Sequence, residues 1–323
     1  MLAFTVRRTL YAILVLLGVN AVTFVLFFAV NTPDDMARMQ LGRRVTAEAI
    51  ERWKAQQGYD RPLFLNAHAT GLAKLTDTVF FSTTARAFSF DLGRTNEGIV
   101  IAAELRQRFV PSLMIAVPVF LLVVAASVLV GLALILFRGT GLERAGVVGL
   151  VALMSISTLF FIITGQYVFA RVLQLAPISG FVPGASSPMY VALPVAVLVL
   201  AYLGPDARLF RTIFLEELGK DYVRTARAKG LSEFGVMGHV LRNSLIPIIT
   251  SSGLLLPVVF TSTIVTETFF TIPGLGSFTI EGITQQDFNI VRAMVFVGST
   301  LYILAFLLTD LAYCWADPRV RLR

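Results

Sequence analysis

The chain has 323 residues, of which 56% are hydrophobic and only 15% are charged. Soluble domains carry roughly a quarter charged residues, so this composition indicates that lipid is the solvent for much of the surface. The net charge is +7, but the chain contains no run of five basic residues. This pattern disfavours nucleic acid as a partner and favours basic loops beside anionic lipid. The single cysteine, Cys314, excludes an intrachain disulfide and a cysteine metal cage.

Six charge-poor stretches are candidate membrane spans, because a helix needs about 20 apolar residues to cross the hydrocarbon. They cover residues 9–33, 109–137, 145–170, 190–203, 243–266 and 293–309. The fourth is the shortest and contains Pro194. The first is too long for the apolar region of a signal peptide, so it predicts a retained span. The predicted fold class is an all-α membrane protein with six transmembrane helices.

Basic residues fall in alternate loops, which predicts the orientation by the positive-inside rule. They precede span one, separate spans two and three, separate spans four and five, and follow span six, whereas residues 174–190 carry no charge. The terminal basic residues are Arg7, Arg8, Arg319, Arg321 and Arg323. Six spans then place both termini in the cytoplasm.

Three regions follow from this topology. Residues 1–33 form an N-terminal stub and the first helix, residues 34–108 an extracytoplasmic segment, and residues 109–323 a five-helix core. The extracytoplasmic segment is rich in both charges, but long translocated loops do not count towards the rule. Within it, Thr46 is positioned to cap a helix beginning at Ala47, and Gly58 to end it.

The cytoplasmic loop 206–242 is the most informative part of the sequence. Pro205 suits the first turn of a helix. Asp221 is a candidate N-cap for a short helix ending at Lys229, and Gly230 supplies a left-handed stop. Ser232 then starts a second helix. Two short helices at an angle, with basic residues outside, would project as a compact element. On composition alone, an ordinary basic loop that satisfies the positive-inside rule is the favoured interpretation of these residues.

The amino-acid sequence of this loop resembles that of a known protein family. Residues 221–231 (Asp-Tyr-Val-Arg-Thr-Ala-Arg-Ala-Lys-Gly-Leu) resemble the coupling loop of permeases in ATP-binding-cassette importers, with Arg224, Thr225, Ala226 and Gly230 at the aligned positions. Residues 60–63, 91–94, 267–276 and 317–321 extend the likeness to most of the chain. The chain is identified as a member of the dipeptide, oligopeptide and nickel permease family.

This resemblance implies a type I importer permease in the bacterial inner membrane. It implies a second homologous permease subunit, two ATP-binding subunits or a fused one, and an extracytoplasmic substrate-binding protein. ATP and Mg would be bound by the partner subunits, so no cofactor is expected in this chain. The residues implied in coupling are Asp221, Tyr222, Arg224, Thr225, Ala226, Arg227, Lys229 and Gly230. Of these, Ala226 and Gly230 are expected to allow close docking, and Arg224, Arg227 and Lys229 to pair with acids on the partner.

Catalytic and phosphate-binding motifs are missing from the sequence. It contains no phosphate-binding loop, no His-Glu-x-x-His and no Gly-x-Ser-x-Gly elbow, and its two histidines, His68 and His239, are too few for a zinc site without carboxylates. No catalytic or metal site is predicted. The sequence therefore contains no set of catalytic or metal-binding residues that would support a membrane-embedded enzyme or sensor.

Polar residues of the fifth span are the candidate lining of a pathway. They are Ser251, Ser252, Thr261, Ser262, Thr263 and Thr266. Each is individually also typical of close helix packing. Ionisable residues are nearly missing from the predicted spans, which disfavours the main alternative, a secondary carrier with its own proton relay. Peptides are the expected substrate class; nickel, peptide-like antibiotics and other small solutes stay open.

Overall fold

The computed structural model describes residues 2–42, 45–67, 69–184 and 187–316. In these residues the only β-type pairing is an isolated bridge between Arg94 and Val100. The predicted all-α class is therefore confirmed. The basic C-terminal residues Arg319, Arg321 and Arg323 lie outside the described residues.

The described residues form fourteen α-helices and one π-helical segment. In chain order they are α1 (Leu2–Val30), α2 (Pro33–Leu41), α3 (Ala47–Gln57), α4 (Ala73–Thr76), α5 (Val79–Phe88), α6 (Ile101–Leu136), α7 (Gly141–Met154), α8 (Thr158–Gly165) with the π-helical segment Gln166–Val172, α9 (Ser187–Leu218), α10 (Asp221–Ala228), α11 (Glu233–Asn243), α12 (Leu245–Phe270), α13 (Leu275–Thr284) and α14 (Phe288–Ala316).

The chain divides into two compact units. One contains residues Met1–Gln107 and Glu281–Ile303, and the other contains Arg108–Ile280 and Leu304–Arg323. The first unit joins α1–α5 to the start of α14. The second contains α7–α12, most of α6 and the end of α14.

An aromatic cluster forms the core of the first unit. Phe24 of α1 is 2% exposed, and its ring lies 5.2 Å from that of Phe80 in α5. Tyr59 packs against Phe28 and Trp53, with ring centroids 5.5 and 5.8 Å away. These contacts hold the first helix against the segment that follows it, so that this segment has a hydrophobic core of its own.

Local signals explain the short helices of this segment. Helix α3 begins after Thr46 and ends at Gly58, whose φ of 74° is left-handed, as predicted, although the Thr46 side chain makes no capping bond. The prediction missed α2 and α5. The signal for α2 was present, since Thr32 and Asp35 form a capping box around Pro33 at the first helical position. Pro33 therefore begins α2, and the first helix ends at Val30 instead.

Apolar residues from several helices form the core of the second unit. Ile115, Val119 and Val123 of α6 pack in one cluster with Val197 and Leu198 of α9 and with residues of α12. This face explains why α9 is much longer than the predicted fourth span. The prediction that a new helix starts at Pro205 was wrong: α9 continues through Pro194 and Pro205, because its buried face continues on both sides of the second proline.

Among the residues that the structure describes, five helices are long and apolar enough to cross a membrane, namely Arg7–Phe28, Ile101–Leu136, Ser187–Leu218, Leu245–Phe270 and Phe288–Asp310. A sixth span results if α7 and the α8 segment are counted together, but these two are bent by 93°. The prediction of one continuous third helix was therefore wrong. The break lies at residues 155–157, where the Ser155 hydroxyl bonds back to the Val151 carbonyl and Ser157 caps α8.

Helices α7 and α9 approach closely at Gly204. A Cβ placed there would lie 2.8 Å from the Leu150 carbonyl oxygen and 2.9 Å from Met154 Cγ. Gly149 of α7, by contrast, has no atom within 4 Å of such a Cβ. Small residues at helix interfaces allow this approach in membranes.

We predict that Gly204→Val lowers the free energy of unfolding by about 1–3 kcal/mol, because an overpacked side chain must push the two helices apart. Detergent-purified protein can be compared by thermal unfolding. Gly149→Val is the matched control and should leave the midpoint near that of the wild type. Equal midpoints for both variants would contradict this packing.

Candidate functional site

The helical pair α10–α11, predicted from the sequence, is attached to the end of α9 through Glu217. This carboxylate is buried, accepts a hydrogen bond from the Lys220 ammonium at 2.5 Å and another from the Tyr222 hydroxyl at 3.1 Å. Burial is the main cause that raises the pKa of Tyr222. The Glu217 hydrogen bond is the main cause that raises the pKa of Lys220. The first part of α10 is thus tied to a membrane helix.

A Schellman motif ends α10. The Gly230 N–H donates to the Arg227 carbonyl at 2.9 Å, and the Leu231 N–H donates to the Ala226 carbonyl at 3.2 Å. Gly230 has a φ of 81°, which confirms the predicted left-handed stop. A Cβ there would meet no atom within 4 Å, so inside this chain glycine is required by backbone conformation alone.

The start of α10 differs from the prediction. Lys220 occupies the N-cap position and Asp221 is the first helical residue, so Asp221 is not the N-cap. Its carboxylate still lies in the first turn, where negative charge stabilises the helix dipole. Helix α11 begins as predicted, because the Gly235 N–H donates to the Ser232 hydroxyl at 3.3 Å.

A hydrophobic cluster lies beneath both helices. Val223 of α10 and Val236 and Val240 of α11 are fully buried against Phe210 and Phe214 of α9. Tyr222 and Ala226 are half-buried at the edge of the same cluster. Ala226 therefore faces the interior of this chain as well as its surface. The pair is a packed extension of α9, and the first residues of the predicted loop 206–242 are helical.

The outer surface of the α10–α11 pair carries both charged and apolar side chains. Arg224 is 80% exposed and lies 3.7 Å from Asp221, while Thr225 and Lys229 are also exposed. Phe234, in the first turn of α11, is 77% exposed, and Leu231 is 37% exposed. Phe234 was not predicted as a site residue, because helical periodicity alone does not distinguish an exposed aromatic residue from a packed one.

Arg227 already has an acidic partner within the chain. Its guanidinium makes a two-bond contact with Glu233, with Nε to Oε1 at 2.9 Å and Nη2 to Oε2 at 3.0 Å. This contact raises the pKa of Arg227 further and joins the end of α10 to the start of α11. Arg224 and Lys229 are the predicted basic residues that have no such contact across the pair.

The predicted pathway residues of α12 divide into two groups. Ser251 is half-buried and Thr261 is exposed, and each hydroxyl bonds back to a carbonyl of its own helix. Ser252, Thr263 and Thr266 are buried. The side chain of Ser262 lies outside what the structure describes.

Thr263 faces a buried carboxylate that lies just beyond the predicted end of the fifth span at residue 266. Glu267 belongs to the last turn of α12 and is 0% exposed. The conclusion that the spans nearly lack ionisable groups was therefore incomplete. Because residues 267–270 are helical, the span continues beyond its predicted end at Thr266.

Glu267 binds the N-terminus of α13. Its Oε2 accepts the Ser277 N–H at 3.0 Å, and its Oε1 accepts the Ser112 hydroxyl of α6 at 2.6 Å. The Ser112 oxygen in turn accepts the Leu275 N–H at 2.7 Å. The Gly276 N–H and the Thr263 hydroxyl also donate hydrogen bonds to the Glu267 carboxylate. One carboxylate thus connects α6, α12 and α13.

Glycine is required beside this carboxylate. A Cβ at Gly274 would lie 2.3 Å from Glu267 Oε2, and one at Gly276 would lie 2.4 Å from Ile264 Cα. The sequence motif 267–276 therefore has a structural meaning: the glutamate and both glycines are parts of one close contact. In the residues that the structure describes, no group of three or more His, Cys, Asp or Glu side chains could hold a metal.

Comparison with known proteins agrees with this architecture. Residues 107–322 match the family of binding-protein-dependent transport system inner membrane components, and residues 1–84 match the N-terminal region of such membrane components. The chain belongs to this family of transport permeases. It is a non-enzymatic, multi-pass subunit of the bacterial inner membrane.

Curated relatives cover three quarters or more of its length. The chain is 31% identical to the "Probable D,D-dipeptide transport system permease protein DdpB" of Escherichia coli K12, with 95% of this chain and 94% of that protein covered. It is 29% identical to the glutathione transport system permease protein GsiC of Escherichia coli O6:H1, with 99% of each covered. It is 32% identical to the dipeptide transport system permease protein DppB of Bacillus subtilis, with 76% and 78% covered.

We predict that Glu267→Ala lowers the free energy of unfolding by about 2–4 kcal/mol, because each buried donor left without an acceptor costs about 1–3 kcal/mol. Denaturant unfolding of the purified protein measures this loss. Glu97→Ala, at an exposed position, is the control and should be neutral. A neutral Glu267→Ala would show that the carboxylate does not hold α13.

Proposed function

We propose that this chain forms half of the translocation pathway of an ATP-driven, binding-protein-dependent importer. The other half would be a second, homologous permease. Two ATP-binding subunits, or a fused one, would bind ATP and Mg and dock on the α10–α11 pair, and an extracytoplasmic protein would deliver the solute. The observation that carries this proposal is the construction of α10–α11: exposed Arg224, Lys229 and Phe234 outside, and a packed connection to α9 inside.

Coupling by movement requires a stiff connection between the docking surface and the spans. Val223, Val236 and Val240 pack directly on α9, and Glu217 binds both Lys220 and Tyr222. A displacement of the pair by closing ATPase subunits would therefore be passed to α9 instead of being absorbed by a loop. Such rigid-body transfer is one established way of switching between two states of a transporter.

The exposed residues of the α10–α11 pair are of types that commonly form protein–protein interfaces. Exposed aromatic residues that fill a partner's pocket commonly carry much of the binding energy. Basic residues at the rim mainly guide association and orientation. We assign Phe234 the first role and Arg224 and Lys229 the second. Gly230 would contribute through the bend that sets the angle between α10 and α11.

Both termini and the α10–α11 pair are proposed to face the cytoplasm, where ATP is available. The proposal follows from the basic residues near Arg7, Arg138 and Arg224. The segment that follows α1 would then face the external binding protein. Membrane lipid would cover the apolar surfaces of the spans.

Small peptides are the proposed solute class. Three relatives carry the names of D,D-dipeptide, glutathione and dipeptide systems, which share a short peptide backbone. Within α12 the proposed lining consists of Ser251, Ser252, Thr261 and Ser262. Thr263 and Thr266 are proposed instead to pack around Glu267, since the Thr263 hydroxyl donates to that carboxylate and Thr266, the residue before Glu267, is 0% exposed.

We predict that Phe234→Ala decreases solute-stimulated ATPase activity by about tenfold or more, because an interface anchor contributes upwards of about 2 kcal/mol. The transporter, co-expressed with the ATPase, second permease and binding protein encoded nearby, is assayed in nanodiscs. Gly230→Pro should abolish stimulation, because proline excludes a φ of 81° and removes the bond to the Arg227 carbonyl.

His239→Ala is the matched control, since this residue is exposed on another side of α11. It should retain full stimulation. Full stimulation in Phe234→Ala and Gly230→Pro would contradict docking at this pair. Solute uptake by the chain alone in liposomes, driven by a gradient without ATP, would instead support a secondary carrier.

A charge-swap experiment distinguishes the two possible partners of Arg227. Arg227→Glu places two carboxylates together and should reduce stimulated ATPase activity. The double variant Arg227→Glu, Glu233→Arg restores the internal contact and should recover most of the activity. If the double variant remains as inactive as the single one, Arg227 pairs with the ATPase subunit.

A further inference from the structure

A cavity of about 70 Å³ in the first unit is lined by an excess of positive charge. Three arginines, Arg86, Arg94 and Arg292, contribute to its wall, against one acidic residue, Asp91. The Asp91 carboxylate accepts the Gly93 N–H at 3.3 Å. The formal charge around the cavity is therefore +2, from three cations and one anion.

Among the described residues, no acidic side chain forms an ion pair with any of the three guanidinium groups. In the part of the chain that the structure describes, none of them has a carboxylate oxygen within 4.0 Å. Arg292 donates to the Tyr59 hydroxyl at 3.5 Å, and Arg94 donates to the Gly98 carbonyl at 2.9 Å. Both acceptors are neutral, so they leave the net positive charge of the cavity wall unchanged.

The walls of the cavity are held in place by contacts from several elements. The Asn20 amide of α1 donates to the Thr84 hydroxyl of α5 at 2.6 Å. The Asn289 amide of α14 donates to the Arg94 carbonyl at 3.0 Å. Phe88 packs against Phe296 with ring centroids 5.6 Å apart. The cavity is thus part of the packed unit and is more than a gap between mobile side chains.

Its position and size limit what it can bind. Asn20, which lines it, lies ten residues before the end of α1, or about 15 Å along the helix. The cavity therefore lies alongside an apolar span. A volume of about 70 Å³ holds roughly five water-sized groups, whereas pockets for whole drug-sized ligands measure about 300 Å³ or more. A single phosphate or carboxylate group fits, and a whole peptide does not.

We propose that this cavity binds one oxyanionic group, a phosphate or a carboxylate, through Arg86 and Arg292, with Arg94 at its edge. Arginine binds such groups through paired N–H donors. The neighbouring Asn20 amide and Tyr59 hydroxyl add neutral polar groups. Two sources supply this chemistry beside a span: the headgroup of an anionic phospholipid, and a free anionic solute.

The test uses the full chain purified in neutral detergent. Native mass spectrometry measures retained phosphatidylglycerol, and equilibrium dialysis measures binding of radiolabelled inorganic phosphate. Arg86→Gln and Arg292→Gln are each expected to weaken binding of the occupying probe about tenfold or more, because each variant removes charge-assisted hydrogen bonds to the oxyanion. Arg106→Gln removes an exposed arginine of α6 that does not line the cavity and should bind like the wild type.

Loss of phosphatidylglycerol alone in the two cavity variants supports the lipid headgroup as the source, and loss of phosphate binding supports a free anion. If neither probe distinguishes the cavity variants from Arg106→Gln, the proposal is wrong. Arg86 is exposed, so Arg86→Gln keeps the test decisive even if Arg292→Gln unfolds. The α10–α11 surface is untouched in all three variants, so the result is independent of the proposed coupling.

Discussion

The carboxylate of Glu267 is fully buried, and a buried charged group must be hydrogen-bonded to be stable. It obtains its hydrogen bonds from Ser112 of α6, Thr263 of α12 and the first N–H groups of α13. This carboxylate requires glycine at position 274, and the neighbouring backbone of Ile264 requires it at position 276. The arrangement of three helices thus depends on one buried group, and the connection between α12 and α13 follows from satisfying it.

The same constraint explains other polar residues in apolar helices. Gln166 donates to the Ile178 and Phe269 carbonyls, at 3.0 and 3.1 Å. The second of these belongs to the last turn of α12, where a helix leaves carbonyl groups without an internal partner. Ser155 bonds within its own helix at the break between α7 and α8. Polar side chains in these spans therefore mostly complete the backbone, which makes polarity alone a weak guide to a pathway.

The α10–α11 pair obeys a different rule, because its outer surface is charged and exposed. Its internal contacts use one buried carboxylate, Glu217, and a row of valines, while Arg227 and Glu233 hold the two helices together. Arg224, Lys229 and Phe234 are among the residues left exposed on the outside. The division between anchoring and exposed residues is what makes the pair suitable for receiving force from a partner.

Composition, charge and local signals were sufficient to determine the all-α class, the apolar spans, the stop at Gly58, the left-handed Gly230 and the start of α11 at Ser232. Each depends on solvent preference or on backbone conformation, which neighbouring residues decide. The sequence could not show that α9 continues past Pro205, that the third span bends by 93°, or that Glu267 is buried. These features depend on residues far apart in the chain, because a helix continues, breaks or buries a charge according to what packs against it.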